Sequence, residues 1–553
     1  MNKLTIKNGN IYDPLNNIKG EQKDLLIEDG KIVSEFSSQE NVKEIDATGK
    51  TVVPSAIEIH SHIASQQLNW IRLIGSNKKS FRTVWERLTL QSIARNYISN
   101  GYTFLLDANV YPSLARQTIL DLIALPVLDK GFLLNAGNLW PLEGEFEKSK
   151  VESLAYFLSD LLSSTKAFGI KIYNPFESEN WNFKEMRNSI NQGGKLYNFK
   201  SIDIYNILVE AVEYLQLPHS VQAHIEGYEL ETGRVNLKLL MEELKEFQSG
   251  TEKISPNHRN QILHLPHASS YSQDGTNKDL IDYVNENDLI DLDLGIIGFE
   301  ELNPLITSDR RLMNHLVDNN QIVSPIIKNS VEFEGDFFSG FRKFEKSNPQ
   351  HCNLWENAIE LALEIQDKWK VQLSVNFPHY AHINSIPEIA TWLISKKARI
   401  KFMNDMNSGF LKDSNIQSND KELDFNEYVI ISRASPAKSL GVLEFKGTLS
   451  EGADADVNIL DIDLTETDIS KDYERFKEAL ENIEYVIKGG KIIKKQQKID
   501  LQGKGKIFWT EGKINSEERE KAMKSKREFY QKYYSYFYDN LKNEINEKNL
   551  KKV

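Results

Sequence analysis

The sequence predicts an α/β protein: a closed (β/α)8 barrel beside a small β-sandwich domain built from both chain ends. Short apolar runs alternate with helix-length segments from about residue 55 onward, which implies βα units and a mostly parallel sheet. That stretch spans about 370 residues, more than an open sheet ordinarily needs. Strand patterns precede it and return after about residue 443. The predicted units are residues 1–54 (first part of the small β domain), 55–442 (barrel), 443–512 (second part of the small domain) and 513–553 (a charged helical tail).

In chain order, Leu4–Lys7 alternates apolar and polar residues, and Asn8-Gly9 reads as a turn. Asp24–Glu28 and Lys31–Val33 flank Asp29-Gly30, a hairpin dipeptide. Thr51–Val53 is a strand stopped by Pro54. Ala56–Ile59, Thr103–Leu106, Gly169–Tyr173, Ser220–Ala223, Gln261–Leu265 and Val371–Val375 read as barrel strands, with Val84–Ser99 and Ile204–Leu215 as helices. Ala455–Leu460 alternates, and Tyr485–Lys488 turns through Gly489-Gly490 into Lys491–Ile493. The tail from Ser516 carries acids near its start, Lys548, Lys551 and Lys552 near its end, and a stripe of Phe529, Tyr530, Tyr533, Tyr534 and Phe537 suited to packing or a partner.

The 553 residues are 40% hydrophobic and 27% charged, with 67 Lys plus Arg against 80 Asp plus Glu. A net charge of −13 argues against general nucleic-acid binding. Lys78, Lys79 and Arg82 form one local basic patch. No apolar run of about 18 residues is present, and the first residues lack a signal-peptide core, so neither membrane insertion nor secretion is expected. The single cysteine, Cys352, excludes an intramolecular disulfide framework and a Cys-rich metal site. A cytoplasmic location is expected.

His60-Ser61-His62 follows a strand, so two imidazoles share one face at the barrel mouth, where such folds keep their sites. Imidazole is a good ligand for zinc and related ions. Lys171 sits inside an apolar strand. Burial would lower its pKa, and a neutral lysine can add carbon dioxide to give an anionic carbamate able to bridge two cations. His224, His264 and His267 follow later strands. Each alone is more often a core or surface histidine; together with His60, His62 and Lys171 they make strand-end ligands in chain order on one barrel.

Pro54–His62 resembles the opening of the amidohydrolase superfamily, whose pattern places His-x-His after a strand. Gly452-Ala453-Asp454-Ala455-Asp456-Val457 is similar to that superfamily's return to its small β domain. Gly101-Tyr102-Thr103, Pro126–Lys130, Gly169–Pro175, Leu217–Ser220, Trp355–Leu361 and Arg433–Gly441 look like the A subunit of formylmethanofuran dehydrogenase, over residues 1 to 465. The same family includes the A subunit of the bacterial formyltransferase/hydrolase complex. The resemblance implies a TIM-like metal-dependent hydrolase barrel with two zinc ions bridged by carboxylated Lys171. It implies ligands His60, His62, Lys171, His224 and one of His264 and His267.

The implied substrate is a formylated methanofuran-like carrier, releasing formate in one-carbon (formaldehyde) oxidation. The implied partners are a formyltransferase and other components of a hetero-oligomeric complex. The site departs from the family where Thr-Asp-His-Pro-Asn-Gly becomes Val375-Asn376-Phe377-Pro378-His379-Tyr380, so an amide replaces the proton-moving acid. Two further segments, Gln222–Gly227 and His267–Ser270, also differ. Three readings stay open: an active hydrolase with an altered site, in which His379, His382 or Asp293 moves the proton beside Asn376; a catalytically impaired scaffold of the complex; or an amidohydrolase for another small amide.

Overall fold

The computed structural model describes residues 3–75, 88–139, 142–148, 150–182, 187–249, 259–272, 277–299, 302–319, 321–322 and 338–553. Lys78, Lys79, Arg82 and the first residues of the Val84–Ser99 helix lie outside them; the described helix is Leu90–Ser99.

Strands β1 (Lys3–Asp13), β2 (Ile18–Glu28), β3 (Lys31–Val33), β4 (Val42–Asp46) and β5 (Thr51–Pro54) come first. Residues Asn8-Gly9 do not turn the chain. They form a bulge inside β1, with Asn8 at φ 58° and its N–H donating to Asp24 Oδ1 (2.9 Å). Gly9 fits because a Cβ there would lie 2.5 Å from Val52 Cγ2. The Asp29-Gly30 hairpin forms as predicted.

The barrel follows: β6 (Ala56–Ser61), β7 (Tyr102–Val110), β8 (Asp129–Asn135), β9 (Gly169–Ile172), β10 (Val221–Ala223), β11 (Leu263–Leu265) and β12 (Ile290–Asp293). A two-stranded excursion, β13 (Asn303–Thr307) with β14 (Phe338–Arg342), precedes the eighth barrel strand, β15 (Val371–Gln372). All eight barrel strands pair in parallel, and β6 through β12 are buried along their length, which suits strands covered on both faces. The barrel closes where Ser61 bridges Phe377 and the His62 N–H donates to the Phe377 carbonyl (2.7 Å). Sequence periodicity missed β8 and β12: each carries buried acids that break an apolar run, Asp129 in one and Asp291 and Asp293 in the other.

After the barrel come β16 (Val457–Leu460), β17 (Tyr485–Lys488), β18 (Lys491–Lys495) and β19 (Lys498–Ile499). They join the N-terminal strands in one nine-stranded sheet ordered β19-β18-β17-β16-β5-β1-β2-β3, with β4 on β1. The sheet has its own apolar core of residues such as Ile6, Ile27, Val52, Val457 and Ile487.

Two segments differ from the expected boundaries. β20 (Ile507–Trp509) pairs in parallel with β8 at Lys130 and so joins the barrel sheet. Strand β9 begins opposite Leu133, which leaves the earlier part of β8 open to it. The tail helix Ser516–Tyr533 ends well before Lys548, and the chain finishes as β21 (Leu550–Lys552) beside β20. Of the aromatic stripe, Tyr530 is buried, whereas Tyr533 and Phe537 are exposed.

The two sheets meet around Lys446. Its buried ammonium contacts Asp129 at the start of β8 (2.7 Å), Asp454 (2.9 Å) and Asp456 (2.6 Å), and Lys488 also reaches Asp129 (2.7 Å). Burial opposes ionisation of Asp129, but Lys446 and Lys488 outweigh it and hold the carboxyl below its usual range. Asp454 is likewise pulled against burial, by Lys446 and Lys31, to about 2. Lys446→Met removes the cation that the three carboxylates share, leaving Asp129 and Asp456 to Lys488 and Asp454 to Lys31, and should cost about 3–5 kcal/mol in denaturant titration. Because these folded-state values are depressed, the wild-type contribution should be present above about pH 4 and lost as the pH falls toward 2. A pH series of melting temperatures on both proteins checks this.

Candidate metal centre

The site sits at the C-terminal ends of the barrel strands. His60 lies next to the end of β6, which is buried throughout, and the barrel seam at Ser61 and Phe377 fixes where His62 lies. The loop after them is held by one carboxylate: Asp107 of β7 accepts the N–H groups of Ile63 (2.9 Å), Ala64 (2.8 Å) and Ser65 (2.9 Å). Burial still pushes the Asp107 carboxyl up to about 6.

His60, His224 and His267 each present a ring nitrogen, all within 4.8 Å of one another, and all three side chains are buried. The hydrogen bonds explain which nitrogens are free. His60 Nδ1–H donates to Asp293 Oδ2 (3.1 Å), and its Nε2 has no partner among the described residues. His267 Nδ1–H donates to Ser270 Oγ (2.9 Å), because that hydroxyl is itself donating to the His267 carbonyl (2.8 Å). Neither ring nitrogen of His224 has a partner among the described residues. Anchoring one nitrogen of an imidazole sets its tautomer and turns the other lone pair outward, the arrangement that orients metal-binding histidines. Burial lowers the His60 pKa to about 4 and those of His224 and His267 well below the usual value, so all three are neutral at neutral pH.

His62 adjoins this group, its ring 5.7 Å from that of His60 and 4.7 Å from that of His379. Lys171 of β9 is fully buried, and its Nζ has no partner among the described residues. Burial lowers its pKa to about 7, against the pull of Asp293. A cluster of neutral imidazoles around a neutral-capable amine, several with unpartnered nitrogens, is a donor set that fits divalent metal.

His264 is brought to a different place from His267. It points along β11 between two carboxylates, Nδ1 to Asp291 (2.9 Å) and Nε2 to Asp293 (3.2 Å), so both nitrogens are occupied. Burial opposes its charge, but Asp291 and Asp293 lift its pKa to about 9. His267 reaches the cluster because the chain after Pro266 takes a left-handed turn (φ 33°). Gly295 makes room, since a Cβ there would fall 2.2 Å from His267 Cβ.

Asp293 is engaged on both oxygens, by His60 and His264 on Oδ2 and by the His267 N–H on Oδ1 (2.9 Å). It is therefore a support for the cluster rather than a free base. His382 lies apart, capping a short helix at Asn384 and contacting Asn96 (3.3 Å). His379 does line the cavity; its Nδ1–H donates to the Pro304 carbonyl (2.8 Å), and burial lowers its pKa to about 4. Asn376 also lines it, at φ 45°.

The cavity in front of the cluster is narrow, about 30 Å³. Its wall includes residues that the sequence did not single out. Arg342 of β14 grips Glu229 through two bonds (2.6 and 3.0 Å), and Tyr380 OH donates to the same carboxylate (2.7 Å). Tyr173, Tyr228 and Thr307 share their hydroxyls at 3.0–3.2 Å. Phe377 packs away against Tyr97 and His382. The long separations, 113 residues between Glu229 and Arg342, left no local signal to read.

Residues 353–494 match the family model "Amidohydrolase family". Protein FwdA of Methanocaldococcus jannaschii is 29% identical, over 96% of this chain and 94% of its own length. The A subunit of the formyltransferase/hydrolase complex Fhc of Methylorubrum extorquens is 23% identical, over 88% of this chain and 89% of its own. The chain is a divergent homologue of FwdA and of the Fhc A subunit. A chain from the crystal structure of the formyltransferase/hydrolase complex FhcABCD from M. extorquens, in complex with methylofuran, superposes with TM-score 0.85 at 21% identity. That superposition covers 100% of this homologue and 99% of that chain, and it shows the same amidohydrolase fold. No helix among the described residues is long and apolar enough to cross a membrane.

For this FwdA homologue, His264→Ala should destabilise by about 3–5 kcal/mol, since it removes the ionic partner of buried Asp291 and one of the three partners of Asp293. Because its folded pKa is raised, the His264 contribution should be complete below about pH 6.5 and lost as the pH rises through about 9. Stability measured against pH in wild type and His264→Gln should diverge at neutral pH and converge above 9.

Proposed function

We propose that this chain is the metal-dependent hydrolase component of a formyltransferase/hydrolase complex. It releases formate from a formylated methanofuran-like carrier in one-carbon oxidation, R–NH–CHO + H2O → R–NH3⁺ + HCOO⁻. The observation that carries the reading is the buried group of neutral histidines together with the Lys171 amine at the barrel mouth, which has no partner among the described residues. Homology over nearly the whole chain to FwdA and the Fhc A subunit supports the substrate and the complex.

His60, His62, His224 and His267 would hold the metal, which we take to be two zinc ions. Lys171, unprotonated in part at neutral pH, would add carbon dioxide, lose a proton and join them as an anionic carbamate ligand. Divalent ions, when bound, supply Lewis acidity toward the amide carbonyl and toward the attacking water. The chain's own groups do the rest. Asp293 keeps His60 turned to the site. Asn376 cannot take a proton near neutral pH, so proton movement falls to His379, the one of the three candidate bases on the cavity wall. Its Nδ1 is engaged, leaving Nε2 as the acceptor that takes a proton from water and returns it to the departing nitrogen. The narrow cavity favours a formyl group over bulkier acyl groups.

Elemental mass spectrometry of the purified chain in its complex tests the metal reading. About two zinc ions per chain are expected, with loss in Lys171→Ala. His379→Gln should keep the metal while formate release falls about 10²- to 10⁴-fold. Absence of stoichiometric metal in the wild type would instead indicate a scaffold role.

A further inference from the structure

Beyond the metal-binding groups, the cavity wall carries three amides with no role in the hydrolysis above. Gln67, Asn109 and Asn376 are 3%, 4% and 5% exposed, and all three line the cavity with His62, His224 and His267. The side-chain oxygen of each, Oε1 of Gln67 and Oδ1 of the two asparagines, has no hydrogen-bond partner among the described residues. A buried carbonyl without a donor costs about 1–3 kcal/mol, so three on one small cavity call for a donor-bearing occupant. The hydroxyls on the cavity wall do not reach them: Tyr380 donates to Glu229, and Tyr173 and Tyr228 engage each other and Thr307.

We propose that Gln67, Asn109 and Asn376 form an acceptor subsite that selects amides bearing an N–H and then holds the ammonium that hydrolysis leaves. This rests on the formamide reading above and assigns the residues that recognise its N–H. The substrate nitrogen carries one N–H. After water adds and the C–N bond breaks, the nitrogen carries three, one for each oxygen. A tertiary amide carries none and would leave all three oxygens buried and unsatisfied, the situation in which polar sites discriminate most strongly.

Ligand-observed NMR on the metal-loaded chain in its complex, with N-methylformamide against N,N-dimethylformamide, reads this without turnover. Wild type should prefer the secondary amide by about tenfold or more. Gln67→Met and Asn109→Leu, checked for folding by thermal melting, should each lose most of that preference, and Gln67→Glu, which keeps an acceptor oxygen, should retain it. Equal binding of both amides by wild type, or an unchanged preference in folded Gln67→Met and Asn109→Leu, overturns the subsite. Formate release measured alongside separates the two ideas. N–H preference without turnover supports the subsite and sinks the hydrolase reading; turnover without N–H preference does the reverse.

Discussion

The site depends on one buried carboxylate. Asp293 at the end of β12 bonds His60 from the first barrel strand, His264 from the sixth, and the backbone N–H of His267 beyond it. A carboxylate this buried is stable as an anion only with such partners, and His60 and His264 supply them against the cost of burial. In return the carboxylate orients His60, and it fixes the turn that delivers His267. The tie explains why one histidine of a nearby pair joins the cluster while the other stays in the wall.

Closure of the barrel imposes a second constraint. The last strand meets the first at the His60-Ser61-His62 segment itself, through the Ser61–Phe377 bridge and the Ser374 hydroxyl, which donates to the His60 carbonyl (3.2 Å). The histidines proposed to hold the metal are therefore also the seam, and Asn376 stands next to it by topology. The small sheet supports this arrangement from the other side through Lys446 and its three aspartates. Two of these, Asp454 and Asp456, belong to the closing motif noted in the sequence, whose physical role is thus an ion-pair junction.

The cavity combines three surfaces with different demands. Neutral imidazoles and Lys171 offer lone pairs to a cation, the Glu229–Arg342 pair is internally neutralised, and the three amide oxygens seek donors. The proposed hydrolysis of a small amide to an ammonium and a carboxylate would meet these demands at successive stages of one reaction.

Much was legible from residue order alone. Alternating apolar runs identified the barrel and the split small domain, since burial on both faces leaves continuous apolar strands and hairpin dipeptides mark their turns. His60, His62, Lys171 and His224 stood out because each closes or sits within such a run. Tertiary structure decided the rest. Whether His264 or His267 reaches the cluster depends on a left-handed turn against Gly295, set by contacts that periodicity does not encode. That Asp293 is a support, that His382 lies outside the cavity and that Glu229 meets Arg342 all follow from contacts between residues far apart in the chain. Strands β8 and β12 escaped notice because their acids are buried only with partners from other segments. β20 and β21 were missed because an edge left open by a short neighbour has no signature of its own. Sequence determines which groups are available, and packing determines which of them face one another.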